Sequence, residues 1–133
     1  MNKKMTAYAC IAILTGIALG AFGAHGLKRV TSDPAILSGY QTGVDYHLFH
    51  ALAFLVFGLW GSAVRSIPLA KSALRLMVIG VLIFSGSLYL LTAFRAVGWS
   101  YSWIAPITPI GGTLLILAWA WLAYGLLRRE RSN

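Results

Sequence analysis

Apolar residues do not alternate with polar ones along this chain. They run on in four blocks, near residues 5–27, 43–63, 74–94 and 103–127, interrupted mainly by small or weakly polar residues. Each block matches the roughly 20 residues a helix needs to cross the hydrocarbon of a bilayer. In lipid, a spanning segment can satisfy its backbone polar groups only as a helix or in a closed barrel. Blocks this long, without a period of two, predict four transmembrane helices. The connections, roughly 28–42, 64–73 and 95–102, leave no soluble segment of domain size. The prediction is therefore one all-α integral membrane domain, residues 1–133, folded as a four-helix bundle.

The first connection carries a helical signal of its own. Asp33 before Pro34 is a helix N-cap followed by the residue favoured at the first helical position. Ile36, Leu37, Tyr40 and Val44 continue at helical spacing. This pattern predicts a short helix on the outer membrane surface that runs into the second span.

Composition removes the soluble class: 59% of the 133 residues are apolar and only 11% are charged. The formal charge of +8 does not indicate nucleic acid, because Lys and Arg lie between the apolar blocks and at the chain ends rather than gathered along one face. Flanking charge of this kind orients helices, since basic residues are retained on the cytoplasmic side. Lys3, Lys4, Arg65, Lys71, Arg75, Arg128, Arg129 and Arg131 fall on one side, against Lys28, Arg29 and Arg95 on the other. Both termini are thus expected in the cytoplasm, with Trp99, Tyr101 and Trp103 as an aromatic anchor at the outer interface. The N-terminus imitates a secretory signal ending at Ala24, but its apolar run is longer than a signal core and equally apolar segments follow. It is read as a first membrane helix, with the single cysteine, Cys10, as a small buried hydrophobe.

Helices in lipid associate through close backbone approach and buried hydrogen bonds, so small residues mark contacts. Gly16 and Gly20 in GxxxG spacing, Gly23 and Gly26, Gly58 and Gly61, Ser85-Gly86-Ser87 and Gly111-Gly112 provide such marks. They predict a tight bundle, with a homo-oligomer through one of the glycine faces as the alternative. Pro106 and Pro109 should loosen the start of the fourth span and make it a candidate lining for a small polar cavity.

Ionisable residues inside a membrane are costly and point to function or to buried hydrogen bonding. They are placed unevenly here. His25 ends the first span, Gln41, Asp45, Tyr46, His47 and His50 occupy the outer turns of the second, Ser85, Tyr89 and Thr92 lie along the third, and Thr108 begins the fourth. At about 100° per residue, Gly43, Tyr46, His47 and His50 share a face, whereas Asp45 falls with Gln41. Thr42-x-x-Asp45 fits a capping box. His47 and His50 could reach one metal ion with His25 as a third nitrogen. The structural expectation has His50 bonded to Tyr89 or Ser85, and His47 and His25 reaching towards the interface. No GxSxG, HExxH, P-loop or paired carboxylates occur, so no catalysis and no cofactor are expected.

Four stretches carry a resemblance over nearly the full chain: residues 18–27 (Ala-Leu-Gly-Ala-Phe-Gly-Ala-His-Gly-Leu), 40–52 (Tyr-Gln-Thr-Gly-Val-Asp-Tyr-His-Leu-Phe-His-Ala-Leu), 84–89 (Phe-Ser-Gly-Ser-Leu-Tyr) and 108–112 (Thr-Pro-Ile-Gly-Gly). In these the chain resembles the small bacterial membrane proteins of domain of unknown function 423, which have a related animal form. The resemblance implies a bacterial inner-membrane protein with four helices and no established activity, and assigns no residue a role. Three functions follow as expectations. The first is a non-enzymatic membrane protein whose polar cluster packs the bundle and binds a lipid, partner or small polar ligand. The second is an oligomeric transporter or channel component with the cluster lining a solvated path, and the third a metal- or haem-binding membrane protein.

Overall fold

The computed structural model describes residues 1–99 and 103–130, the last two by their backbone alone. Among them every long element is helical: α1 (Lys3–Ala21), a π-helical stretch (Phe22–Leu27), α2 (Lys28–Val30), α3 (Pro34–Leu59), α4 (Gly61–Arg65), α5 (Ala70–Ala96) and α6 (Ile107–Glu130). Four stretches are long and apolar enough to cross a membrane: Lys3–Val30, Pro34–Leu59, Ala70–Ala96 and Ile107–Arg128. Large apolar side chains such as Leu14, Leu82 and Ile116 point outward. That exposure would be ruinous in water and is ordinary where lipid is the solvent. Cys10 shares it, correcting the expectation of burial.

The helices form two hairpins zipped by glycine. In the α1–α3 hairpin, a Cβ added at Gly16 would strike Leu48, one at Gly23 the Tyr40 ring, and one at Gly58 the backbone of Thr6. In the α5–α6 hairpin, Gly80 meets Leu115, Gly111 meets the backbone of Phe84, and Gly125 meets Pro68 O. The hairpins join along α3 and α5, where Gly43 faces Tyr89, Leu88 and Ser85 O. The GxxxG face of α1 is thus used within the bundle and is not free for a second chain. Gly86 differs, with nothing within 4 Å of its would-be Cβ. Only 11% of the apolar window of the first span is buried, against 28% in each of the others, which places α1 at the edge of the bundle.

The connections obey local chemistry. Asp33 caps α3, its carboxylate accepting from Ala35 N–H at 2.8 Å, and Pro34 has no N–H to leave unsatisfied. The helix expected to begin there does so and continues without a break into the second span. After Trp60 ends α3, α4 and a turn lead into α5 through Leu69, whose φ of 67° is rare for a residue with a side chain. Trp99 and Trp103 of the expected aromatic anchor are exposed and pack on Phe94 at 5.5 and 6.1 Å between ring centroids; Tyr101 lies outside the described residues, as does Arg131.

Candidate functional site

α3 carries most of the candidate residues. His47 and His50 stand thirteen and sixteen residues beyond Pro34, about 20 and 24 Å along the helix. They lie near the middle of the helix. The polar stretch from Ser38 to Thr42 is helical, as the spacing of Ile36, Leu37, Tyr40 and Val44 predicts.

Asp45 is consequently mid-helix, and no capping box forms. Its carboxylate accepts from Gln41 Nε2–H at 2.8 Å, one turn back, while Thr42 donates to Ser38 O at 3.0 Å. The Gln41–Asp45 pair is exposed on the outside of the bundle.

His50 is buried, with 2% of its surface exposed. Nδ1–H donates to Tyr46 O at 2.7 Å, and Nε2 accepts from the Trp119 indole N–H of α6 at 3.2 Å. Both ring nitrogens are thereby engaged in one neutral tautomer. This corrects the expectation of Tyr89 or Ser85 as its partner. Phe49 and Phe57 flank Trp119, and the Tyr46 ring, itself exposed, packs on Phe84 at 4.5 Å.

His47 sits about 60° further round α3 and turns to the other side. Its Nδ1 lies 3.3 Å from the Tyr89 hydroxyl of α5, and the ring faces Gly16 of α1, where an added Cβ would stand 3.8 Å from it. Tyr89 in turn packs on Tyr40 at 5.3 Å, whose hydroxyl donates to Leu19 O at 2.9 Å. His47 therefore reaches α5 through one bond while its ring faces α1 across the groove. His25 is exposed on the π-helical stretch. The two histidines of α3 have different neighbours, and among the described residues no group of three His, Cys, Asp or Glu could hold a metal ion.

Thr108 bonds Ser87 at 2.8 Å; because Ser87 donates to Phe84 O, Thr108 is the donor. The start of α6 is thus fastened to α5. A groove lies elsewhere. α1 and α5 flank α3 without packing on each other, leaving a groove of about 870 Å³. Met5, Ala9 and Ala12 form one wall, Val78, Leu82 and Gly86 the other, and His47, Ala51 and Phe54 the floor. Lys4 and Arg75 stand at the end nearest the termini. At the opposite end are Tyr89 and Ser85, the latter 3% exposed with a buried hydroxyl that has no hydrogen-bond partner. Such a group costs about 1–3 kcal/mol unless something satisfies it.

Two residues escaped sequence reasoning. Trp119 lies mid-helix, away from the interfacial belts where Trp is common, and a buried indole N–H needs an acceptor; that position was the available signal. Tyr40 was read only as part of an amphipathic pattern, although a tyrosine facing a glycine-rich helix can reach a backbone carbonyl.

Four apolar helices with backbone polar groups satisfied internally define a small multi-pass membrane protein. The chain belongs to the family described as "Protein of unknown function (DUF423)", whose family model matches residues 19–112. It is 45% identical to a UPF0382 membrane protein of Haemophilus influenzae over 129 residues, covering 97% of each chain. It is 34% identical to the UPF0382 inner membrane protein YgdD of Escherichia coli K12 over 132 residues, 99% of this chain and 95% of the relative. A UPF0382 membrane protein of Schizosaccharomyces pombe is 33% identical over 116 residues, 83% of this chain and 92% of that one. No solved structure matches the chain.

Proposed function

We propose that this chain is a non-enzymatic inner-membrane protein, with both termini cytoplasmic, that holds a lipophilic molecule in the groove between α1 and α5. The observation that carries this reading is a largely apolar groove with a buried, partnerless Ser85 hydroxyl at the end away from Lys4 and Arg75. A ligand with a long apolar body and one compact hydrogen-bonding head complements both features. The volume of about 870 Å³ suits such a body, and a groove facing the bilayer admits it from the side.

The orientation is supported by the eight basic residues on the terminal side against three on the other. With 26 residues, α3 is about 39 Å long, more than the roughly 30 Å of hydrocarbon. Its first turns, from Pro34, are proposed to lie at the outer surface. A solvated transport path has less support, because the groove is apolar between His47 and the basic residues at its mouth.

The test is extraction of the protein purified in mild detergent, followed by mass spectrometry of what it carries. A stoichiometric lipophile should accompany the native chain, and Gly86→Leu, which places a side chain in the groove, should remove most of it. Equal retention by the two proteins would overturn the reading.

A further inference from the structure

The two ends of the groove differ in charge. α1 and α5 both begin at the end nearest the termini, and each puts one cation into the groove there: Lys4 from the first turn of α1, Arg75 from the second turn of α5. Side chains on a helix lean towards its N-terminus, so both long side chains are directed at that mouth. Both residues are exposed, and neither side chain has a hydrogen-bond or ion-pair partner among the described residues. No Asp or Glu lines the groove. The positive ends of two helix dipoles lie at the same mouth and add to its potential.

Retention of basic residues on the cytoplasmic side requires them near a helix end, and Lys3, Arg65 and Lys71 meet that requirement without lining the groove. Arg75 differs, since it stands about 7.5 Å inside the start of an apolar helix, where a cation calls for a counter-charge. From Arg75 to Ser85 at the far end is about 15 Å along α5, half the hydrocarbon thickness. A chain held at Arg75 therefore runs the depth of one leaflet within the groove. We infer that the groove takes an anionic phospholipid of the leaflet nearest the termini, its phosphate between Lys4 and Arg75 and one acyl chain lying over Phe54, Ala51 and His47. Basic pockets between membrane helices recognise anionic head groups in this way. A lipid without net charge would fill the same walls and leave the two cations uncompensated. This rests on the groove being a lipophile site and adds the chemistry of the end at Lys4 and Arg75; any group that meets Ser85 belongs to the far end of the same chain.

The test uses the full chain in phosphatidylcholine nanodiscs and two photoactivatable probes that share one acyl chain, the first with a phosphatidylglycerol head and the second with a phosphatidylcholine head. Labelled peptides are mapped by mass spectrometry. The phosphatidylglycerol probe should label the groove walls of α1 and α5 about tenfold more than the other, since each basic residue near a membrane surface favours anionic lipid by about fivefold. Lys4→Gln combined with Arg75→Gln should abolish that preference and leave the melting temperature unchanged, because neither side chain is bonded within the protein. Lys3→Gln combined with Lys71→Gln removes as much charge from the same side, outside the groove, and should keep the preference. Equal labelling of the groove by the two probes, or a preference lost as fully in the Lys3 and Lys71 variant, overturns the anionic lipid and leaves the groove reading standing. Labelling confined to the lipid-facing surface, or unchanged in Gly86→Leu, overturns the groove reading itself.

Discussion

His47 and His50 are one turn apart on the same helix, yet they meet opposite surroundings. On the His50 side, α5 and α6 press together through glycines, a Trp119 indole closes the last open ring nitrogen, and aromatic rings fill the remaining space. On the His47 side, α1 stands off from α5 and the floor of a groove is left uncovered. The difference lies in what faces the histidine. Where glycine lets a neighbouring helix approach and an indole supplies the donor, the imidazole becomes a structural bond; where a helix stands apart, its surroundings remain available to a ligand. Similar residue types on one helix can thus hold a bundle together on one side and offer a site on the other.

The sealed side can be broken most severely at Gly111, where any Cβ would enter the backbone of Phe84. Gly111→Leu should separate α5 from α6 and cost about 3 kcal/mol or more, seen as loss of the cooperative thermal transition in detergent. A normal melting curve would mean that the close approach contributes little. Next in size, His50→Ala removes two hydrogen bonds and leaves a void, at a cost of about 2 kcal/mol. Trp119→Phe should account for part of this, and a double-mutant cycle should show coupling of about 0.6 kcal/mol or more. The smallest effect is expected at His47→Ala, below about 1 kcal/mol, because the side chain faces open space and its bond to Tyr89 is long. Should His47→Ala prove as damaging as His50→Ala, the contrast between the two sides fails.

The positions of the spans were legible because lipid imposes a length and an apolarity that few other environments require. The start of α3 at Asp33 and Pro34 was equally legible, since a cap and a proline act locally. The helical spacing after them carried on through Ser38–Thr42; the partner of Asp45 was not legible, because a carboxylate bonded to Gln41 one turn back on a helix exterior looks the same in sequence as one capping a helix start. Glycine contacts could be foreseen as contacts but not assigned to pairs, for GxxxG looks the same whether its mate is α3 or a second chain. The groove had no sequence signature at all. It exists because two helices do not touch, and no residue pattern announces a missing contact.

The π-helical stretch at Phe22–Leu27 has a consequence for how the first hairpin is aligned. Bonds from i to i+5 accommodate one more residue than an α-helix would over the same path, so every side chain beyond it is rotated by about 100° from the azimuth an uninterrupted helix would give. Leu27 owes its place against Tyr40 and Val44 to that offset. The stretch acts as an angular spacer: it lets α1 present one face to α3 along most of its length and a different face at its end, so that one straight partner is gripped by two stripes of the same helix.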